Sequence, residues 1–558
     1  MGRISAAPVL FENAGDLDKG GVLCAVPALL ALGLLSHSQK QLSLPAGYYP
    51  MESILLCVAF LALSRVQSME ALRYEAPGEW GRLLGLDRVP EVRTLREKIG
   101  LLCEDEAKVR KWSSGLAREW MELESDGAGT LYVDGHVRVY HGGLTKLPAR
   151  YVARQKLCLR GTTDYWVNAM DGAPFFAVSQ SSDPGLLQTL EKEILPRLLN
   201  DVPNQPSEEE LAADPKLERF TLIFDRAGYS PETFKRLWEK RIAVTTYHKN
   251  SGEPWPESEF ILQKVTLVSG EQVELFLAER GVQLLPGFWV REVRQLEPSG
   301  HQVAIISTNF RRDLTKTAAA MFARWCQENF FQYMKKHYGL DRMIEYGTAP
   351  LPDTTKVVNP AWRKLDQTVR RESAKLKNMQ SKLVSRTLPA DTNVEKVQRF
   401  ERETGQILIE IKAKEEELQI AKESRKDTKH HILWKELPEE ERFHQLLPTK
   451  KHFIDTIRLI AYRAETSLTC IVREKLARND DARSLVRQIL RTSVDLIPDA
   501  SAQTLTVHLH ALSSRIHDAA LQHLCAELNS TETLFPGTSL RLVFQPVGLS
   551  IFPRDQEP

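Results

Sequence analysis

The chain has 558 residues, of which 42% are hydrophobic and 26% charged, with 74 Lys plus Arg against 73 Asp plus Glu. This ordinary globular composition excludes wholesale disorder and fibrous repeats, and the length exceeds a single core, so about two to four domains are expected. The net charge of +1 argues against a uniformly basic nucleic-acid coat but leaves room for basic surfaces segregated along the chain.

Residues 1–125 read as a helical N-terminal domain. The apolar run from Val22 to Leu35 is interrupted by Pro27 and Gly33, and the run from Ile54 to Leu63 is also short. Neither reaches the ~20 apolar residues a bilayer span requires, so buried helices are expected, with no membrane partner and no signal peptide. The seven cysteines are scattered and never spaced as Cys-x-x-Cys, which fits a reducing cytoplasm and argues against a zinc site. Between residues 68 and 104, three short helical pieces end in one carrying Arg93, Arg96 and Lys98. This pattern suits a helix-turn-helix-like unit or plain helical packing.

From Gly129 the period changes to two. Three strands with Gly-containing turns follow, then a helix at about residues 185–199, and the apolar run Phe220 to Asp225, suited to a buried strand. Ser230 and Pro231 carry the cap and first-turn signals of the next helix, and residues 242–249 form another strand. The order β-β-β-α-β-α-β is an antiparallel set passing into α/β units. Residues 257–309 read as a β-rich insertion of two hairpins, and residues 315–337 as one long helix. Residues 361–430 have coiled-coil spacing in two arms joined by a polar loop at residues 387–393. In the first arm Glu372 alone breaks the apolar seam, and in the second Lys414 does so. The first arm, Ala361 to Ala390, carries eight basic and two acidic residues, a charge suited equally to a solvated face and to a phosphate-tracking one. Residues 435–558 read as a C-terminal α/β region without a catalytic motif.

Three acids stand out. Asp134 lies near the end of the first strand of this set, Asp225 ends a later one, and Glu328 sits on a helix between aromatics. Carboxylates at the ends of neighbouring strands, joined by one from a helix, can share hard divalent cations and leave positions open for phosphate oxygens and water. Arg324 and Lys335 share the helix with Glu328 at spacings that put all three on one face, where they can pair phosphates. His136 and Arg138 alternate onto the strand face of Asp134, and Arg226 follows Asp225.

The segments Asp134-Gly-His-Val-Arg-Val-Tyr, Phe224-Asp-Arg-Ala-Gly-Tyr and Trp325-Cys-Gln-Glu-Asn-Phe-Phe resemble the DDE transposases of bacterial insertion sequences. The resemblance is to the group with a β-rich insertion before the Glu and a Tyr-x2-Arg-x3-Glu-x6-Lys signature. Arg324, Glu328 and Lys335 match its last three positions, and Met321 stands where the group has tyrosine. It spans roughly residues 125–345. It implies an α/β fold with an RNase H-like core (residues 126–256 and 310–345) and the β-rich insertion, flanked by the helical N-terminal and helical-hairpin regions. It also implies Asp134, Asp225 and Glu328 as catalytic ligands of two Mg²⁺ ions, with Mn²⁺ as a substitute. Arg324, Lys335, Arg138, His136 and Arg226 would contact DNA. The implied partners are double-stranded transposon ends and target DNA, bound by a homodimer in the bacterial cytoplasm, on the nucleoid when engaged. Water would free a 3′-hydroxyl at the transposon end, and that hydroxyl would attack target DNA or the opposite strand. Two other readings share the fold: a metal-dependent nuclease or domesticated recombinase, and a catalytically inactive DNA-binding protein.

Overall fold

The computed structural model describes the chain apart from residues 1–5, 143–145, 153–156, 181–184, 268–269, 323–324, 343, 345–346, 387–393, 513 and 548–558. The chain divides into two compact units. One comprises residues 1–141, 149–347 and 446–558, and the other residues 142–148 and 348–445. The fold is mixed α/β.

The central sheet of the first unit is built from β2 to β11, β1 (Ala14–Leu17) belonging elsewhere. Its first four strands are β2 (Thr130–Val139), β3 (Ala149–Val152), β4 (Leu157–Ala169) and β5 (Pro174–Gln180). Then come β6 (Phe220–Ile223), β7 (Ile242–Tyr247), β8 (Ile261–Thr266), β9 (Gln272–Leu285), β10 (Phe288–Leu296) and β11 (Gln302–Ser307). The order across the sheet is β3-β4-β2-β6-β7-β11-β10-β9-β8, with β5 on β4. β2, β6 and β7 run parallel, and β2–β4 and β7–β11 pair antiparallel. All four residues of β6 are buried, as expected of a central strand covered on both faces. Residues 257–309, read as an insertion, supply β8 to β11 and extend this same sheet through the β7–β11 ladder.

The two longest helices before β2 are α1 (Met51–Leu63) and α2 (Glu106–Leu123). Eleven residues of α1 are buried, so it is apolar all round and sits inside the core. Residues 68–104, the helix-turn-helix-like stretch, form a 3₁₀ turn and two helices. The last of these buries Leu95, Ile99 and Leu102, and its Arg96 pairs with Glu70.

Helix α3 (Pro231–Glu239) joins β6 to β7. Ser230 Oγ accepts from the Thr233 N–H at 3.3 Å and Pro231 opens the first turn, as the sequence predicts. The stretch read as one long helix is α4 (Leu314–Phe322) and α5 (Trp325–Tyr338), with residues 323–324 outside the description.

The second unit contains α6 (Pro360–Val384) and α7 (Val394–Asp427), the two arms of the predicted hairpin; its loop lies outside the described residues. Val369, Ile411 and Leu418 are buried in the seam. The two charged exceptions meet there: Lys414 Nζ lies 2.6 Å from Glu372 Oε2. The C-terminal region follows in the first unit. It has α8 (Thr449–Arg473), α9 (Asn479–Ile489), β12 (Val494–Asp499), β13 (Thr504–Leu509), α10 (Arg515–Ser530) and β14 (Arg541–Pro546). β1 joins β12, β13 and β14 in a second sheet. Helix α8 packs on α1, α2 and β5, so the C-terminal region is structural core for the strands before it. No helix among the described residues is long and apolar enough to cross a membrane.

Candidate functional site

The site is built on the middle of β2 and the turn that follows β6. These strands pair in parallel with Thr130 opposite Thr221, Leu131 opposite Leu222 and Tyr132 opposite Ile223. The ladder ends there: Asp134 lies two residues further along β2, in mid-strand rather than near the strand end as the sequence predicts, and Asp225 lies two residues past the end of β6. The two residues thus follow the same pair of neighbouring strands. Both residues are half-buried. The Asp134 carboxylate accepts the Gly135 N–H at 2.8 Å. The chain turns directly after Asp225, whose carbonyl accepts the Gly228 N–H at 3.1 Å. A Cβ at Gly228 would lie 2.6 Å from the Phe224 ring, so the tight turn needs glycine.

Alternation puts Tyr132, Asp134, His136 and Arg138 on one face of β2. Helices α4 and α5 cover that face at both ends. The Tyr132 hydroxyl donates to the Ala320 carbonyl on α4. His136 stacks on Phe331 of α5, with centroids 5.4 Å apart and planes 21° apart. Asp134 lies between these anchors, and Glu328, exposed, is one helical turn before Phe331. Met321 is buried with Tyr132, Ile223, Ile305 and Ala320, so it packs α4 onto the very strands that carry the two aspartates.

The expected DNA-facing residues divide. Arg226 is exposed and stands 5.5 Å over the Tyr247 ring. Lys335 is partly exposed, with Nζ 3.8 Å from Asp341. His136 and Arg138 are in the core and do not face solvent. Arg138 grips Asp164 of β4 through two hydrogen bonds of 2.6 and 3.1 Å. Burial alone would raise the Asp164 carboxyl, but Arg138 outweighs it and holds that carboxyl well below the carboxylate range. His136 Nε2 meets Asp341 Oδ1 at 2.5 Å. Its burial favours the neutral ring, Asp341 opposes this, and the net shift is downward. Arg324 lies outside the described residues.

Sequence reasoning missed the buried charges beneath the site. On α8, Lys451, Asp455 and Arg458 form a closed ionic group, and Glu465 takes hydroxyl hydrogen bonds from Tyr333 and Tyr338 of α5. Arg65, just after α1, reaches the same carboxylate at 2.7 Å. The available signal was charge recurring every three or four residues in an otherwise apolar helix.

Asp134 and Asp225 offer oxygen donors only, the type that a hard divalent cation takes. Among the described residues no group of three or more His, Cys, Asp or Glu that could hold a metal ion is gathered at one point.

A comparison with curated proteins returns no match. A family model described as "Transposase protein" (Transposase_29) matches residues 1–548, and the chain therefore belongs to this transposase family.

Proposed function

We propose that the chain is a DDE-type transposase with an RNase H-like core, cutting transposon ends and joining them to target DNA. The observation that supports this reading is the parallel pairing of β2 with β6, with Asp134 and Asp225 each two residues beyond its last pair and Glu328 on α5, the helix whose Phe331 stacks on His136 of β2. The three antiparallel strands β5, β4 and β2, followed in one sheet by the parallel β6 and β7, support the RNase H-like assignment.

Asp134, Asp225 and Glu328 would hold two Mg²⁺ ions, with Mn²⁺ able to substitute; such ions, when bound, polarise a phosphodiester and lower the pKa of an attacking water. The chain's own residues supply placement. Tyr132 and Met321 fix α4 over the strands, and Phe331 on His136 fixes the following helix. Lys335 and Arg226, with Arg324 by its position in the signature, would hold DNA phosphates beside the acids. Hydrolysis breaks a phosphodiester at the transposon end and leaves a 3′-hydroxyl. That hydroxyl then attacks a target phosphodiester, forming one P–O bond as another breaks. A homodimer would pair the two ends.

Purified wild-type protein, a duplex carrying the element's terminal repeat, a target plasmid and Mg²⁺ form the test. Cut and joined products are expected, and Glu328→Gln should bind the ends without making either. Strand transfer by that variant at the wild-type rate would sink the assignment, whereas cutting without joining in the wild type would indicate a nuclease.

A further inference from the structure

A second cationic feature lies in the first unit, outside the carboxylate site. A pocket is lined by Arg65, His337, Ser484, Arg487, Gln488 and Arg491. It joins the end of α1, the end of α5 and the outer face of α9. Two of its arginines share Tyr333, whose hydroxyl receives hydrogen bonds from Arg65 at 3.2 Å and Arg487 at 3.4 Å. Arg483 stands 5.0 Å over the same ring. Arg65, Arg487 and Arg491 thus line one pocket, with Lys336 acting on its His337 and Arg483 beside Tyr333. Glu465 is engaged by Arg65, Arg483, Tyr333 and Tyr338. Among the described residues, Arg487 and Arg491 have no carboxylate within ion-pair distance, and Arg491 is exposed.

Two further observations set this apart from an ordinary basic surface. Arg65 has φ 66°, in the left-handed region that usually takes glycine after a helix. An arginine there carries backbone strain that glycine would not, and its Nε is buried without a hydrogen-bond acceptor. His337, 4.5 Å from the Tyr333 ring, is held down to about 4 by burial and then by Arg487 and Arg65, so the pocket already repels a further positive charge.

The geometry points to an anion site in which Arg487 and Arg491, backed by Arg65, hold a backbone phosphate of the DNA bound for the carboxylate site. This rests on the transposase reading above. Nine residues separate His337 from Glu328 on α5, about 13 Å along the helix, which is the axial length of roughly four base steps. A strand engaged at Glu328 can therefore be gripped a few nucleotides away by the same helix and its neighbour α9. Guanidinium groups suit this use because their forked donors match phosphate oxygens.

The test uses the full chain and a fluorescent duplex of the terminal repeat, with affinity measured as a function of salt. Arg487→Ala with Arg491→Ala should weaken binding and lower the slope of log K against log salt by about one, for the phosphate that is no longer neutralised. Arg487→Lys with Arg491→Lys should keep the slope. Thermal unfolding of each variant separates weakened binding from a damaged fold. An alanine variant with wild-type melting, affinity and slope overturns the site. A variant that is no longer stabilised by inorganic phosphate but binds the duplex as the wild type does marks a free-anion site and overturns the DNA assignment. Cleavage by the wild type, run with Mg²⁺ in parallel, reports on the carboxylate chemistry separately. A slope change without any cutting leaves the phosphate site standing and removes the proposed reaction.

Discussion

Asp134 and Asp225 differ from Asp164 in burial and in role. Both are half-buried, Asp134 in the middle of β2 and Asp225 just past β6, whereas Asp164, two residues from the level of Asp134 on the next strand, is fully buried and bound to Arg138. Replacing Asp134 or Asp225 by Asn should leave melting near the wild type and reduce cleavage. Loss of several kcal/mol of transition-state stabilisation corresponds to roughly 10³-fold in rate. Single-turnover cleavage with Mg²⁺ checks it. Arg138→Ala should do the opposite. It strands a buried carboxylate, an effect worth about 3–5 kcal/mol, and urea unfolding should show that loss. Gly228→Ala forces a methyl against Phe224 and should cost about 1–3 kcal/mol in the same assay. The end of β6 before Asp225 was legible because an apolar run closing on Asp before a turn is a local signal, whereas β2 runs on past Asp134 to Val139. The burial of Arg138 was not, since its partner is 26 residues away and an arginine in a strand reads by type as a surface residue.

At the scale of elements, the hairpin of α6 and α7 explains its own irregularities. Each arm has one charged residue in an apolar seam, and read singly each looks like a fault. Together Glu372 and Lys414 form a cross-arm pair, so they fix register as a polar seam position can. Hydrogen bonds from Lys414 first, then Arg371, hold the Glu372 carboxyl down to about 2, from an ordinary value of 4.5. A folded-state value below the unfolded one stabilises at high pH, and this contribution is lost as pH falls from about 4.5 towards 2. The difference in melting temperature between wild type and Glu372→Gln should therefore shrink across that window, as circular dichroism can follow. Lys414→Leu alone should melt lower than Lys414→Leu with Glu372→Leu, because the single change leaves Glu372 in the seam without its cross-arm partner. The heptad spacing was readable from the chain, but the pairing was not, since it required the alignment of two arms 42 residues apart at this point. The same limit applied to β8 to β11. Their hairpins were evident as local alternation, while their continuation of the central sheet depends on the β7–β11 ladder alone.

Across the whole molecule, the hairpin unit and the sheet unit should respond differently to deletion. Removing Ala361 to Asp427 leaves every element of the first unit in place, so the protein should still fold and bind single ends while assembling fewer paired-end complexes on native gels. Ending the chain at residue 445 removes α8, which buries 16 residues, together with the partners of β1. That fragment should lose cooperative unfolding altogether. The C-terminal region was read as an appended α/β piece because its strands and helices are locally ordinary. Its place in the core comes from packing against α1, α2 and β5, which no periodicity encodes.

The pairing of β1 with β12 also sets a clock on synthesis. The Asp16 N–H is held by Asp495, 479 residues later. At ribosomal rates of about 5–20 residues per second, roughly 25 to 100 s pass between the appearance of the two partners. Throughout that interval the N-terminal strand has no mate, and the apolar faces that α8 will cover lie open. A message truncated by a nonsense or frameshift lesion anywhere before this point yields a chain that cannot close its first unit. Synthesis past Asp495 is in this way a condition for the first unit to close.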